Sequence, residues 1–161
     1  MRNILKLGLA SVAISALAAC GGGGSAADAT DAYVGTWKSV CYSTTTGAGL
    51  AVFTKRVRTI AKTNATTLAS STVLDSVFSD AACTNNIGSW SPNAATGLKY
   101  VLGAKVPFLG ANADTYVSTN DAGSTFAGYA VVDGNKMYLV DTTPGSAAPT
   151  GWGIYSPYTK Q

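Results

Sequence analysis

From Cys20 to the C-terminus, 50 of 142 residues are Thr, Val, Tyr, Phe, Trp or Ile. These β-branched and aromatic side chains pack well on a pleated, half-buried surface. Glu, a strong helix former, is absent, since all eight acidic residues are Asp. No long stretch carries a helical apolar stripe, and Gly and Pro break the chain at short intervals. The chain therefore reads as an all-β domain of many short strands.

The sharpest element is a hairpin. Phe126–Val132 and Lys136–Asp141 flank Asp133-Gly134-Asn135, and Asp-Gly tolerates the positive φ of a tight hairpin turn. Met137 and Leu139 alternate with Lys136 and Tyr138, as on a half-buried strand. Thr115–Thr119, turning through Asn120–Gly123, adds a third strand to this meander. Upstream, Tyr33–Ser43, Val52–Lys62, Thr66–Ser79 and Leu98–Val106 read as strands. Thr63-Asn64-Ala65 makes a turn, Thr66–Ser79 bends at Ser70-Ser71, and Pro107 ends the fourth run. Gly153–Lys160 is the last strand. About eight strands in sequence order predict a single antiparallel up-and-down barrel, whose closure removes sticky edges. A two-sheet β-sandwich is the alternative.

His is absent along with Glu. A Ser-His-Asp triad, a His-ligated zinc site and a paired-Glu glycosidase site are therefore excluded. An enzyme would have to rely on Asp, Tyr, Lys or Ser, and no spacing among them suggests one. The expectation is a protein without catalytic activity, cofactor or metal. Asp75, Asp80, Asn85 and Asn86 surround Cys83 but read as turn formers. Asn64-Ala65-Thr66 matches a glycosylation pattern and reads as a hairpin turn. The formal net charge is +3. The cluster Lys55, Arg56, Arg58 is too small for a groove that tracks phosphates, so no nucleic-acid partner is expected. It reads as a solvated strand face.

Residues 1–19 carry Arg2 and Lys6, then an 11-residue apolar run from Leu7 to Leu17. That run is too short for a membrane span, which needs about 20 apolar residues, and it fits a secretory signal. Leu17-Ala18-Ala19-Cys20 resembles a bacterial lipobox. The resemblance implies cleavage before Cys20, acylation of its thiol and anchoring to a membrane. Gly21, rather than Asp, follows the Cys, which in such lipoproteins implies the outer membrane of the cell envelope. Residues 20–30, with Gly21–Gly24 and Ser25, then form a flexible tether. The folded domain is expected over 31–161. With Cys20 acylated, Cys41 and Cys83 remain for one disulfide in an oxidising compartment. It would close a loop of about 43 residues, worth about 4 kcal/mol in the chain-entropy account.

Gly35-Thr36-Trp37 opens the first strand. A Gly-x-Trp on strand one of a small secreted all-β chain resembles the lipocalin and avidin-like barrels. The resemblance implies that Gly35 and Trp37 close one end of a cup whose open end takes a small apolar or amphipathic ligand. Lipocalins stack a late Arg on that Trp. Here no Arg follows Arg58, and Lys136 or Lys160 must substitute. The lipocalin Thr-Asp-Tyr motif is missing, and Asp114-Thr115-Tyr116 is a reordered near-miss. Expected inward positions are Val57 or Ile60, Phe78, Val117, Phe126 or Tyr129, and Leu139. Tyr129, Trp152 and Tyr155 are the candidate ligand contacts. The alternative function is an envelope protein-interaction module without a cavity. It would use the loop Asp141–Gly151, which contains Pro144 and Pro149.

Overall fold

The computed structural model describes residues 28–46, 48–91, 97–142 and 147–161. The expected signal segment, Cys20 and Gly21–Gly24 lie outside the described residues, as does Pro144. A short 3-10 turn, Asp31–Tyr33, precedes ten strands. They are β1 (Gly35–Ser39), β2 (Tyr42–Thr45), β3 (Ala51–Lys62), β4 (Thr67–Phe78) and β5 (Asn86–Trp90). Then follow β6 (Leu98–Phe108), β7 (Ala111–Thr119), β8 (Thr125–Asp133), β9 (Lys136–Thr142) and β10 (Tyr158–Lys160).

Strands β3, β4, β6, β7, β8, β9 and β10 pair antiparallel in chain order. β1 lies between β10 and β3 and closes the ring. The result is the expected closed eight-stranded antiparallel barrel. The two remaining strands lengthen one end of it. β2 continues the line of β1 along β3, and β5 continues the line of β6 along β4. The long β3–β4 hairpin therefore carries the wall beyond the ring.

Three expected strands change shape. Tyr33–Ser43 is broken: Tyr33 lies in the 3-10 turn, and the ladder stops between Ser39 and Tyr42. There the Arg56 N–H donates to the Ser39 Oγ at 2.8 Å, so a side chain takes the place of a backbone acceptor. Pro107 does not end its strand, since β6 runs on to Phe108 and Pro107 pairs with Asn112. β4 pairs with β6 only over Leu98–Val101. Beyond that point β6 has a neighbour on one side, where a missing N–H is tolerated. Gly153–Lys160 is strand only from Tyr158. β5 was not foreseen, because its five residues are all exposed and show no alternation. The predicted bend at Ser70-Ser71 is present as a register shift opposite Thr59/Ile60.

One end of the barrel is closed. Trp37 is 0% exposed, and its Nε1 donates to the Tyr33 carbonyl at 2.7 Å. The Tyr33 Oη donates to Asp114 Oδ2 at 2.6 Å and to the Ala130 carbonyl at 3.1 Å. Lys160 covers the indole, with Nζ 5.2 Å from the Trp37 ring centroid. Gly35 has φ +133°, and a Cβ there would lie 2.9 Å from Lys160 Cε. The chain enters at this same end, where Lys62 pairs with Asp28 and Asp31.

Inward positions of β3 to β9 fill the interior above this plug. Ile60, Leu68, Tyr100, Leu102, Tyr116, Ala130 and Met137 form one buried cluster with Trp37 and Tyr158, and Leu139 packs against it. Val117 is not inward: it is 49% exposed on the outer face, because its neighbours Tyr116 and Ser118 take the inner one. Phe78 is buried, but it pairs with Phe53 on the face opposite Val77 and packs outside the wall beneath Lys55.

Cys41 and Cys83 form the expected disulfide, with Cα atoms 5.9 Å apart across 42 residues. It ties the β1–β2 break to the loop that follows β4. Asp80 organises that loop. Its carboxylate accepts from the N–H groups of Ala82, Thr84 and Asn85, the last at 2.6 Å, and from Thr84 Oγ1. The Asn85 N–H does most to hold the Asp80 pKa below its ordinary 3.8; desolvation opposes it, and the bonds from Thr84 and Ala82 add to the lowering. A carboxyl with a lowered folded pKa stabilises the loop above the ordinary value and loses that contribution as pH falls through the folded one. The amide resonances of Thr84 and Asn85 are therefore expected to titrate with a midpoint below 3.8. A midpoint at or above it would remove Asp80 from this role.

Candidate functional site

The end opposite Trp37 is open, and β3 supplies its chemistry. Strand alternation turns Thr54, Arg56, Arg58 and Ile60 inward and leaves Lys55 outside. The basic cluster is therefore not a solvated face, as the sequence alone suggests. Two of its three cations are inside the barrel.

Arg56 is paired. Its Nε and Nη2 donate to Asp75 Oδ1 and Oδ2, both at 2.7 Å, in a two-point fork. Asp75 is 1% exposed on β4, directly across the ladder. Burial disfavours the Arg56 charge, but the Asp75 carboxylate outweighs it and holds the pKa above the ordinary value. The Arg56 guanidinium lies 3.8 Å from the centroid of Tyr155, which meets Tyr42 edge-on at 4.5 Å.

Arg58 is 7% exposed, one step deeper. Its Nη1 donates to the Tyr100 hydroxyl, and its guanidinium carbon lies 5.7 and 5.6 Å from the rings of Tyr100 and Tyr158. Tyr100 meets Tyr116 edge-on at 5.5 Å, and Tyr116 donates to Asp141 Oδ1 at 2.7 Å. Burial raises the pKa of Tyr100, Tyr116 and Tyr158 above 10.0, so the three phenols stay neutral at physiological pH.

Below Arg58 the barrel is filled. The residual void among Tyr33, Ile60, Leu68, Leu102 and Met137 is about 10 Å³, too small for more than one water. The space lies above. One cavity of about 260 Å³ is lined by Tyr42, Thr54, Arg56, Val77, Trp90 and Tyr155, among others. A second of about 150 Å³ includes Arg56, Arg58, Tyr116, Asp141, Tyr155 and Tyr158. Arg56 and Tyr155 line both.

Of the three aromatic candidates, the structure brings only Tyr155 to the open end. Tyr129 stacks on Phe108 at 4.1 Å, and Trp152 meets Phe108 at 5.1 Å and Tyr138 at 5.7 Å. Tyr129 and Trp152 thus belong to an aromatic cluster on the outer wall, because they follow the outward faces of β8 and the segment beside β9. That wall also carries a groove of about 330 Å³ over Val101, Gly103, Val117 and Gly128. Sequence reasoning missed Arg56, Arg58 and Asp75. A readable signal was Asp75 itself, a residue type depleted in strands, lying between Val73-Leu74 and Val77. No family model, curated protein sequence or solved structure matches this chain.

Proposed function

We propose that this chain is a non-catalytic binding barrel, anchored to a membrane through an acylated Cys20, that takes a small amphipathic ligand at its open end. The observation that carries the reading is the pair of cavities sharing Arg56 and Tyr155, above a core that is otherwise filled. Small-molecule sites are mostly apolar hollows with a few placed polar groups, of about 300 Å³ and upward. Here Tyr42, Val77, Trp90 and Tyr155 supply the apolar wall, and two guanidinium groups supply the polar points. The deep apolar cup implied by the lipocalin resemblance gives way to a shallower site, because Tyr100, Tyr116 and Met137 occupy the barrel's middle.

Native mass spectrometry of the full chain, purified gently from its host, is expected to find a co-purifying small molecule. Tyr155→Ala is expected to reduce its occupancy. No adduct in wild-type protein, or one indifferent to Tyr155→Ala, would count against binding at this end. The first outcome would favour the protein-interaction reading, which needs no cavity; the second would move the ligand elsewhere, as to the outer-wall groove where Val101 and Val117 are exposed.

The anchor has a directional consequence. The chain enters the barrel at the closed end, so a tether from Cys20 would join the barrel on that side. Cys20→Ser is expected to abolish incorporation of a labelled fatty acid and release the chain from membranes. Equal label in mutant and wild type would sink the anchoring proposal.

A further inference from the structure

We infer that Arg58 is an anion-binding centre that receives the carboxylate of a small ligand whose apolar part lies among Tyr42, Trp90 and Tyr155. This deepens the reading of the open end as a binding site and rests on it. Arg56 has its counter-charge in Asp75. Arg58 has no ion-pair partner among the described residues, and its buried Nε has no hydrogen-bond partner. A guanidinium offers five N–H donors in a planar fork. With Nη1 committed to Tyr100 and Nε closed off from solvent, the part of the guanidinium that borders the cavity is left to meet a carboxylate oxygen.

Arg58 is a buried cation with no ion pair at contact distance, and an anion in the adjoining cavity stabilises it. Arg58 forms part of the wall of the 150 Å³ cavity, beside Tyr116 and Tyr158. At roughly 30 Å³ for each water-sized group, that space holds a carboxylate and a few further atoms. The remainder of the ligand would reach the 260 Å³ cavity past Arg56 and Tyr155. Asp141, in the same cavity, opposes an anion; its Oδ1 is engaged by Tyr116. A ligand with a single negative charge suits this balance better than one with two.

The test uses the full chain and two probes of nearly equal shape, 3-phenylpropanoate and 3-phenylpropanamide, titrated by calorimetry. Wild type is expected to prefer the carboxylate by about tenfold or more, the value of a charge-assisted hydrogen bond. Arg58→Met is expected to erase that preference while amide binding persists. Asp141→Asn removes the opposing charge at an exposed position and is expected to tighten the carboxylate alone, whether or not the Arg58 variant folds. Equal binding of both probes to wild type would overturn the carboxylate site and leave the binding end intact. Binding of neither would overturn both. A preference that survives Arg58→Met, or that Asp141→Asn leaves unchanged, would overturn the assignment to Arg58.

Discussion

Trp37→Ala is expected to cost about 3–5 kcal/mol, the range for removing a fully buried large aromatic side chain. The indole is 0% exposed and holds the Tyr33 carbonyl, while Lys160 covers its ring. Its removal opens a cavity and loosens the turn that plugs the closed end. In a chain of this size the thermal midpoint should fall by roughly 10 °C. Trp90 provides the comparison. It is 53% exposed on β5, and Trp90→Ala should stay within about 0.5 kcal/mol. Equal losses in the two variants, measured by urea unfolding, would contradict a Trp37 plug.

Asp75→Asn is expected to cost a similar amount, about 3–5 kcal/mol, because it leaves Arg56 charged and unpaired in a largely buried place. The side chains are 1% and 11% exposed, so solvent screens the pair weakly. The double variant Arg56→Met, Asp75→Leu should recover most of that loss, since it removes both charges together. A single-variant loss below about 1 kcal/mol would place the pair among exposed ion pairs of little consequence.

Much of the barrel was legible in the sequence because its strands alternate. Gly134, with φ +58°, turns the β8–β9 hairpin between Asp133 and Asn135 as Asp-Gly predicts. Met137 is 0% exposed, while Lys136 faces solvent. Gly35-Thr36-Trp37 marked the closed end, and of the two possible lysines it is Lys160 that covers Trp37. The open end was not legible for the same physical reason. On β3, Phe53, Lys55 and Val57 alternate with Thr54, Arg56 and Arg58, and neither set is apolar throughout. Pattern alone does not choose the inner face of such a strand. Its register is fixed by long-range partners, Trp37 against Arg58 and Asp75 against Arg56. Tyr129 and Trp152 misled for a related reason: large aromatics on a small barrel also pack outside it, here around Phe108.

Where a ligand sits is decided by intermolecular nuclear Overhauser contacts in full-length protein saturated with 3-phenylpropanoate. The predicted contacts run from the probe's ring protons to Tyr42, Val77 and Tyr155, with the methylene next to the carboxylate near Tyr158. Contacts instead to Val101 and Val117 would place binding on the outer wall and contradict the assignment of the open end.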